Sequence, residues 1–172
     1  MKQLRLLMLL CCFLPQVNSA QEFFNTTDDY LKYVLENTDF EKDKVVVNDF
    51  ISNENFIDDV VVGKLFTFYG VAYQSSLYSA SVLENKSCWG QFLSLCKDIE
   101  GGNGGNNRIE NIDYLSGITM DKEKKTVIFL YNIDLKKRHF KKYIRPILEE
   151  IKKDPSFDYI VLSMDYNSIR QH

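Results

Sequence analysis

The chain has 172 residues, 45% of them hydrophobic and 26% charged, with 21 lysines and arginines against 24 acids for a formal charge of −3. That length supports one domain with a proper core and not two comfortable ones. The acidic balance argues against general nucleic-acid binding.

Lys2 and Arg5, the apolar run Leu6 to Leu14, Pro15 and the small residues Ser19 and Ala20 predict a secretory signal peptide over residues 1–20. Cys11 and Cys12 fall inside it. Without Lys2 and Arg5 the exported chain, residues 21–172, holds 19 basic against 24 acidic residues, a formal −5. The reading that follows is a single α/β domain, periplasmic or secreted.

Thr26 or Thr27 with Asp28 and Asp29 marks a helix start, the hydroxyl capping free amides and the acids favoured by the helix dipole; Tyr30, Leu31, Val34 and Leu35 form its apolar side. Asn25-Thr-Thr and Asn85-Lys-Ser match the glycosylation sequon. Val45, Val46 and Val47 predict a strand between Lys44 and Phe50. From Phe56 to Leu83, Ile57, Val61, Leu65, Phe68 and Ala72 share one helical face in a segment apolar almost all round, which predicts a buried helix broken at Gly70. Leu65 to Leu83 carries no charge over nineteen residues, yet Thr67, Gln74, Ser75, Ser76, Ser79 and Ser81 argue against a membrane span.

Trp89, Phe92, Leu93 and Cys96 recur at helical spacing between Ser87 and Lys97. Cys88 and Cys96 are the two cysteines left after processing, and an even pair in an exported chain points to a disulfide. Eight residues along a helix separate two Cα atoms by roughly 12 Å, whereas a disulfide spans about 7 Å at most. The bridge therefore requires a helix that starts after Cys88; otherwise the thiols stay free.

Gly101-Gly-Asn-Gly-Gly-Asn-Asn reads as a flexible loop over 101–107, without the strand and Gly-Lys-Ser/Thr of a phosphate cradle. Tyr114 to Met120 and Lys125 to Asn132 flank Asp121-Lys-Glu-Lys and predict an antiparallel hairpin. Lys125 to Asn132 is strand-like and bounded by charge, Phe140, Tyr143, Ile144, Ile147, Leu148 and Ile151 form one helical stripe with Asp134 as its N-cap, and Tyr159 to Met164 is again strand-like. These are the parts of a βαβ unit with parallel strands. Pro146 inside the stripe predicts a kink. The predicted fold is α/β, a small mixed sheet of about four strands with helices packed on it.

Thr126-Val-Ile-Phe-Leu-Tyr, Arg145-Pro-Ile-Leu-Glu-Glu-Ile and Tyr159-Ile-Val-Leu-Ser-Met-Asp-Tyr-Asn, in that order, resemble the central strand, proline-kinked helix and next strand of thioredoxin-like proteins. The resemblance covers about the last fifty residues and implies a partial thioredoxin-like arrangement. Where that family carries Cys-x-x-Cys this chain has Ile133-Asp-Leu-Lys-Lys-Arg-His, so the redox motif is missing from its place.

His139 and His172 are the only histidines and no Gly-x-Ser-x-Gly elbow occurs, which argues against a hydrolase triad; a zinc site would consume both histidines and both remaining cysteines. Asp28-Asp29 and Asp58-Asp59 lack calcium-loop spacing. No cofactor is expected. Residues 21–62 hold eleven acids and three lysines, while Lys136, Lys137, Arg138, Lys141, Lys142 and Arg145 cluster with His139 near a helix start, where unpaired amides already favour anions. The two poles could face each other, or that cluster could take an acidic partner or anion. The leading expectation is an exported, non-catalytic protein-binding domain of inhibitor or accessory type. Its rivals are thiol-disulfide exchange through Cys88 and Cys96 and a small apolar ligand carrier built on Phe66, Phe68, Tyr69 and Tyr73.

Overall fold

A computed structural model describes residues 24–57, 68–79, 89–102, 108–109, 112–135 and 137–170. Helix α1 (Thr27–Asn37) starts where the hydroxyl predicted it: Thr26 is the N-cap, its Oγ1 accepting from the Asp29 amide at 3.1 Å and donating to the Asp29 carboxylate at 2.9 Å. A single 3-10 turn (Lys42–Lys44) leads into strand β1 (Val45–Val47). Next come β2 (Phe68–Tyr73), β3 (Ser76–Ser79), helix α2 (Trp89–Glu100) and the short β4 (Arg108–Ile109). Strand β5 (Lys125–Tyr131) is followed by α3 (Lys137–His139), a π-helical turn (Phe140–Ile144) and α4 (Arg145–Lys153), then by β6 (Phe157–Ser163).

The six strands form one mixed sheet in the order β1-β6-β5-β2-β3-β4. β1, β6 and β5 run parallel, with Val45 opposite Val161 and Val127 opposite Tyr159; β2, β3 and β4 continue antiparallel. The α/β class and the βαβ unit stand as expected, but the sheet has six strands instead of about four.

Two of the unexpected strands, β2 and β3, lie in the stretch predicted as a buried helix, and the third, β4, follows the Gly/Asn loop. Residues 68–79 are a hairpin whose two-residue turn, Gln74 and Ser75, sits at φ +48° and +64°. β2 lies between β5 and β3, so Gly70, Val71 and Ala72 are all buried and the strand has no polar alternation to read. Gly70 also sits at a register shift, where an added Cβ would fall 2.5 Å from the Tyr78 carbonyl oxygen. The predicted hairpin partner of β5 fails as well: residues 113–115 form a 3-10 turn, the chain to Met120 is not in the sheet, and β2 takes the place beside β5.

Alternation along the strands splits the core in two. On one face Val127, Phe129, Tyr131, Tyr159 and Val161 meet the helices through Tyr30, Val34, Phe92, Leu95 and the stripe Phe140, Ile144, Ile147, Leu148 and Ile151. On the other, Ile128, Leu130, Ile160 and Leu162 meet Phe50, Phe56 of a helical turn at 54–57, and Tyr114 and Leu115 of a 3-10 turn. The apolar stripe is as predicted, and the π turn shows how it survives Pro146. The wider turn ends just before Arg145, and Pro146 falls in the first turn of α4, where a missing N–H leaves no bond unmade. Asp134 does not cap this helix, which begins at Lys137; its amide donates to Asn132 Oδ1 at 2.8 Å in the preceding turn.

The two ends of the described chain meet. Phe24 and Ile169 form a parallel bridge, the Phe24 amide donating to the Ser168 carbonyl and the Arg170 amide to the Phe24 carbonyl, both at 2.9 Å. No helix among the described residues is long and apolar enough to cross a membrane.

Candidate functional site

Because β5 and β6 are parallel, the chain leaves both at the same edge of the sheet, Asn132 and Ile133 after one and Met164 and Asp165 after the other. Open α/β sheets bind ligands outside the carboxyl ends of their strands, which makes this edge the first place for a site.

Asp165 is buried there. Its Oδ2 accepts from the Tyr30 hydroxyl and from the Ile133 amide, and its Oδ1 from Asn132 Nδ2, all at 2.9 Å. Ser163 Oγ donates to the Tyr30 oxygen at 2.7 Å and accepts from the Asp165 amide at 3.2 Å, closing a ring of hydrogen bonds. Burial pushes the Asp165 carboxyl up to about 7, against the bonds from Tyr30 and Ile133, which favour the ionised form. Burial, followed by the Asp165 charge, drives the Tyr30 phenol far above its usual range, so Tyr30 stays protonated and donates. A carboxyl near neutrality is suited to proton transfer. Here both carboxylate oxygens are engaged and the group is enclosed, so the arrangement works as a clamp that ties α1 to the carboxyl edge of β5 and β6.

The basic cluster follows directly, because residues 132–135 lead from that edge into α3. Lys137, Arg138, Lys141 and Lys142 are exposed, and none forms an ion pair among the described residues; Lys142 Nζ lies 4.8 Å from the Tyr143 ring centroid. Arg145 is drawn away from the cluster: its Nε and Nη2 donate to the two carboxylate oxygens of Asp39, the second at 3.2 Å. Lys152 pairs with Glu41 at 2.8 Å. Two acids of the amino-terminal pole are thus spent on α4, while the cations of α3 and the π turn stay open. Lys136 lies outside the described residues.

Cys96 sits on the inner face of α2, in the core beside Phe92 and Leu95, and burial pushes its thiol up to about 12. Cys88, Phe66, Asn85 and residues 1–20, predicted as a signal peptide, lie outside the described residues, so the Cys88–Cys96 bridge and the aromatic pocket rest on the sequence. Tyr73 of the aromatic group is half-buried, with Lys125 Nζ 5.7 Å from its ring centroid, and Asn25 is exposed just ahead of α1. Among the described residues no cluster of histidine, cysteine and acidic side chains could hold a metal ion.

Of the six predicted basic residues, Lys137, Arg138, Lys141 and Lys142 are exposed on one segment, Arg145 pairs with Asp39 and Lys136 is not described, while Asp165, Tyr30, Ser163 and Asn132 were not singled out in the sequence. Only the acid directly after a buried parallel strand hinted at them. No protein-family model, curated protein or solved structure matches the chain.

Proposed function

We propose that this is an exported, non-catalytic α/β domain that binds another protein, taking an acidic segment of that partner on the face formed by Lys137, Arg138, Lys141 and Lys142. One observation carries the reading: in a chain of formal charge −3, four cations on successive turns stand exposed beside the carboxyl edge of the parallel strands, without an ion pair among the described residues. Clustered charge of one sign steers an oppositely charged partner and sets the register of docking. Arg145 is bound to Asp39 and supports the helix instead of the partner. The same frame, with a strand, an interrupted helix bearing Pro146 and a parallel strand, supports a partial thioredoxin-like arrangement without redox chemistry. Thiol-disulfide exchange is disfavoured by Cys96, since exchange needs an accessible thiolate of lowered pKa, and this thiol is buried and raised.

The test uses the full chain and a variant in which Lys137, Arg138, Lys141 and Lys142 are all replaced by Glu. Retention on immobilised poly-glutamate at low salt is expected to fall at least tenfold in the variant and to fall with added salt in the wild type, and capture of acidic proteins from the culture fluid is expected to disappear with it. Equal retention by both chains overturns the reading.

A further inference from the structure

The face of the sheet away from the helices carries a row of side chains fixed by register. Thr126 on β5 stands opposite Asp158 on β6 and opposite Ala72 on β2, and Lys44, just ahead of β1, reaches Asp158 with Nζ at 2.7 and 2.9 Å from its two oxygens. Above this row runs the segment 116–122, turned by Gly117 at φ +87° and laying the half-buried Ile118 and Met120 toward the sheet. It leaves two clefts, of about 270 Å³ on the β6 side and about 320 Å³ on the β2 side, and Ile118, Met120 and Thr126 line both.

Thr126 is 1% exposed, and its hydroxyl is a buried side-chain polar atom with no hydrogen-bond partner among the described residues. Buried hydroxyls are almost always paired, because leaving one unmatched forfeits its hydration with nothing in return. The missing partner has room to sit in the larger cleft, where Ala72, Leu115, Ile118 and Met120 supply an apolar lining and Ser75 and Ser76 an uncharged rim. Its charged lining residues, Asp121 and Lys122, are exposed and opposite in sign. In the smaller cleft Lys44 and Asp158 neutralise each other, and the remaining charged lining residue, Asp43, is exposed to solvent. An ionised guest would have no counter-charge, so a neutral one is favoured.

The geometry points to a binding site for a small uncharged molecule with an apolar body and one hydroxyl or carbonyl, the body lying between the β2–β3 turn and the 116–122 segment and the polar atom hydrogen-bonded to Thr126 Oγ1. The volume falls at the lower end of small-molecule sites. This site is separate from the basic face, shares Tyr73 with the aromatic group of the carrier expectation, and stands or falls independently of the proposed partner.

The full chain, labelled with ¹⁵N, is titrated with benzyl alcohol and with ethylbenzene, which has a similar shape and no hydroxyl, in the wild type and in Thr126→Val. Saturable amide shifts are expected at Ala72, Ile118, Met120 and Thr126 with benzyl alcohol. Thr126→Val should keep the fold, since the methyl that replaces the hydroxyl breaks no bond. It should weaken benzyl alcohol at least tenfold and leave ethylbenzene as strong or stronger. No saturable shift at these residues with benzyl alcohol, or the same benzyl alcohol affinity in both chains, overturns the site. A rise in thermal stability of Thr126→Val with unchanged benzyl alcohol affinity overturns it too, and assigns the hydroxyl a purely structural cost.

Discussion

Burial and hydrogen bonding pull the Asp165 carboxyl in opposite directions, and burial prevails, holding it near 7 against about 3.9 in an unfolded chain. The folded state therefore binds a proton more tightly than the unfolded state does. The contribution of Asp165 to stability is full below about pH 4 and is lost as pH rises toward 7. Stability measured by urea unfolding should carry a falling component across that window, and Asp165→Asn should flatten the slope by up to about 1.4 kcal/mol per pH unit, the share of one proton. Identical slopes would mean that the three donors hold the carboxyl ionised. None of this could be read from the sequence, because the donors come from positions 30, 132 and 133 and only the fold brings them to position 165. The four open cations, by contrast, were legible: charges spaced three and four apart on a helix share a surface whatever the rest of the chain does.

At the scale of elements, the strand, helix and strand from Lys125 to Ser163 were legible because each repeats its own period over enough residues. The interruption at Pro146 was legible too, though its form was not. A proline inside a regular helix costs about 3 kcal/mol, and its removal would return that amount. The π turn places Pro146 in a first turn, where its lost N–H is one of those any helix leaves unpaired. Pro146→Ala should therefore change the unfolding free energy by less than about 1 kcal/mol; a gain near 3 would show that the wider turn relieves nothing. The β2–β3 hairpin was misread for a different reason. A strand covered on both faces and a buried helix look alike over short apolar runs, and Gln74-Ser75 lacks the Asn or Gly that usually announces a turn with positive φ. Spacings of three and four among so many apolar residues then arose by coincidence.

Among the described residues, α1, α2 and α4 pack on one face of the sheet and short turns and loops on the other, so the two cores differ in how they are held. The helical core extends to both ends of the described residues: Ile169 is buried within it, and Phe24 packs its ring 5.3 Å from that of Tyr30 and 5.4 Å from that of Tyr33. Ile169→Ala should cost about 2–4 kcal/mol through the cavity it leaves. It should also speed hydrogen exchange at the amides of Phe24 and Arg170, the two that lace the ends together. Unchanged exchange at those amides would separate the bridge from the core behind it. The surface charge is divided too, with Arg145 and Lys152 fastened to Asp39 and Glu41 while the cations one turn earlier are exposed and have no ion pair among the described residues.

The lacing has a mechanical consequence. Phe24 and Ile169 run in the same direction through an isolated bridge, so tension drawn between the amino end of one and the carboxyl end of the other slides them past each other. Both hydrogen bonds of Phe24 then stretch together, where an antiparallel clasp would unzip one rung at a time. Pulled from its ends, the chain gives first at a small shear clasp, and only afterwards does force reach β6 and the strands behind it.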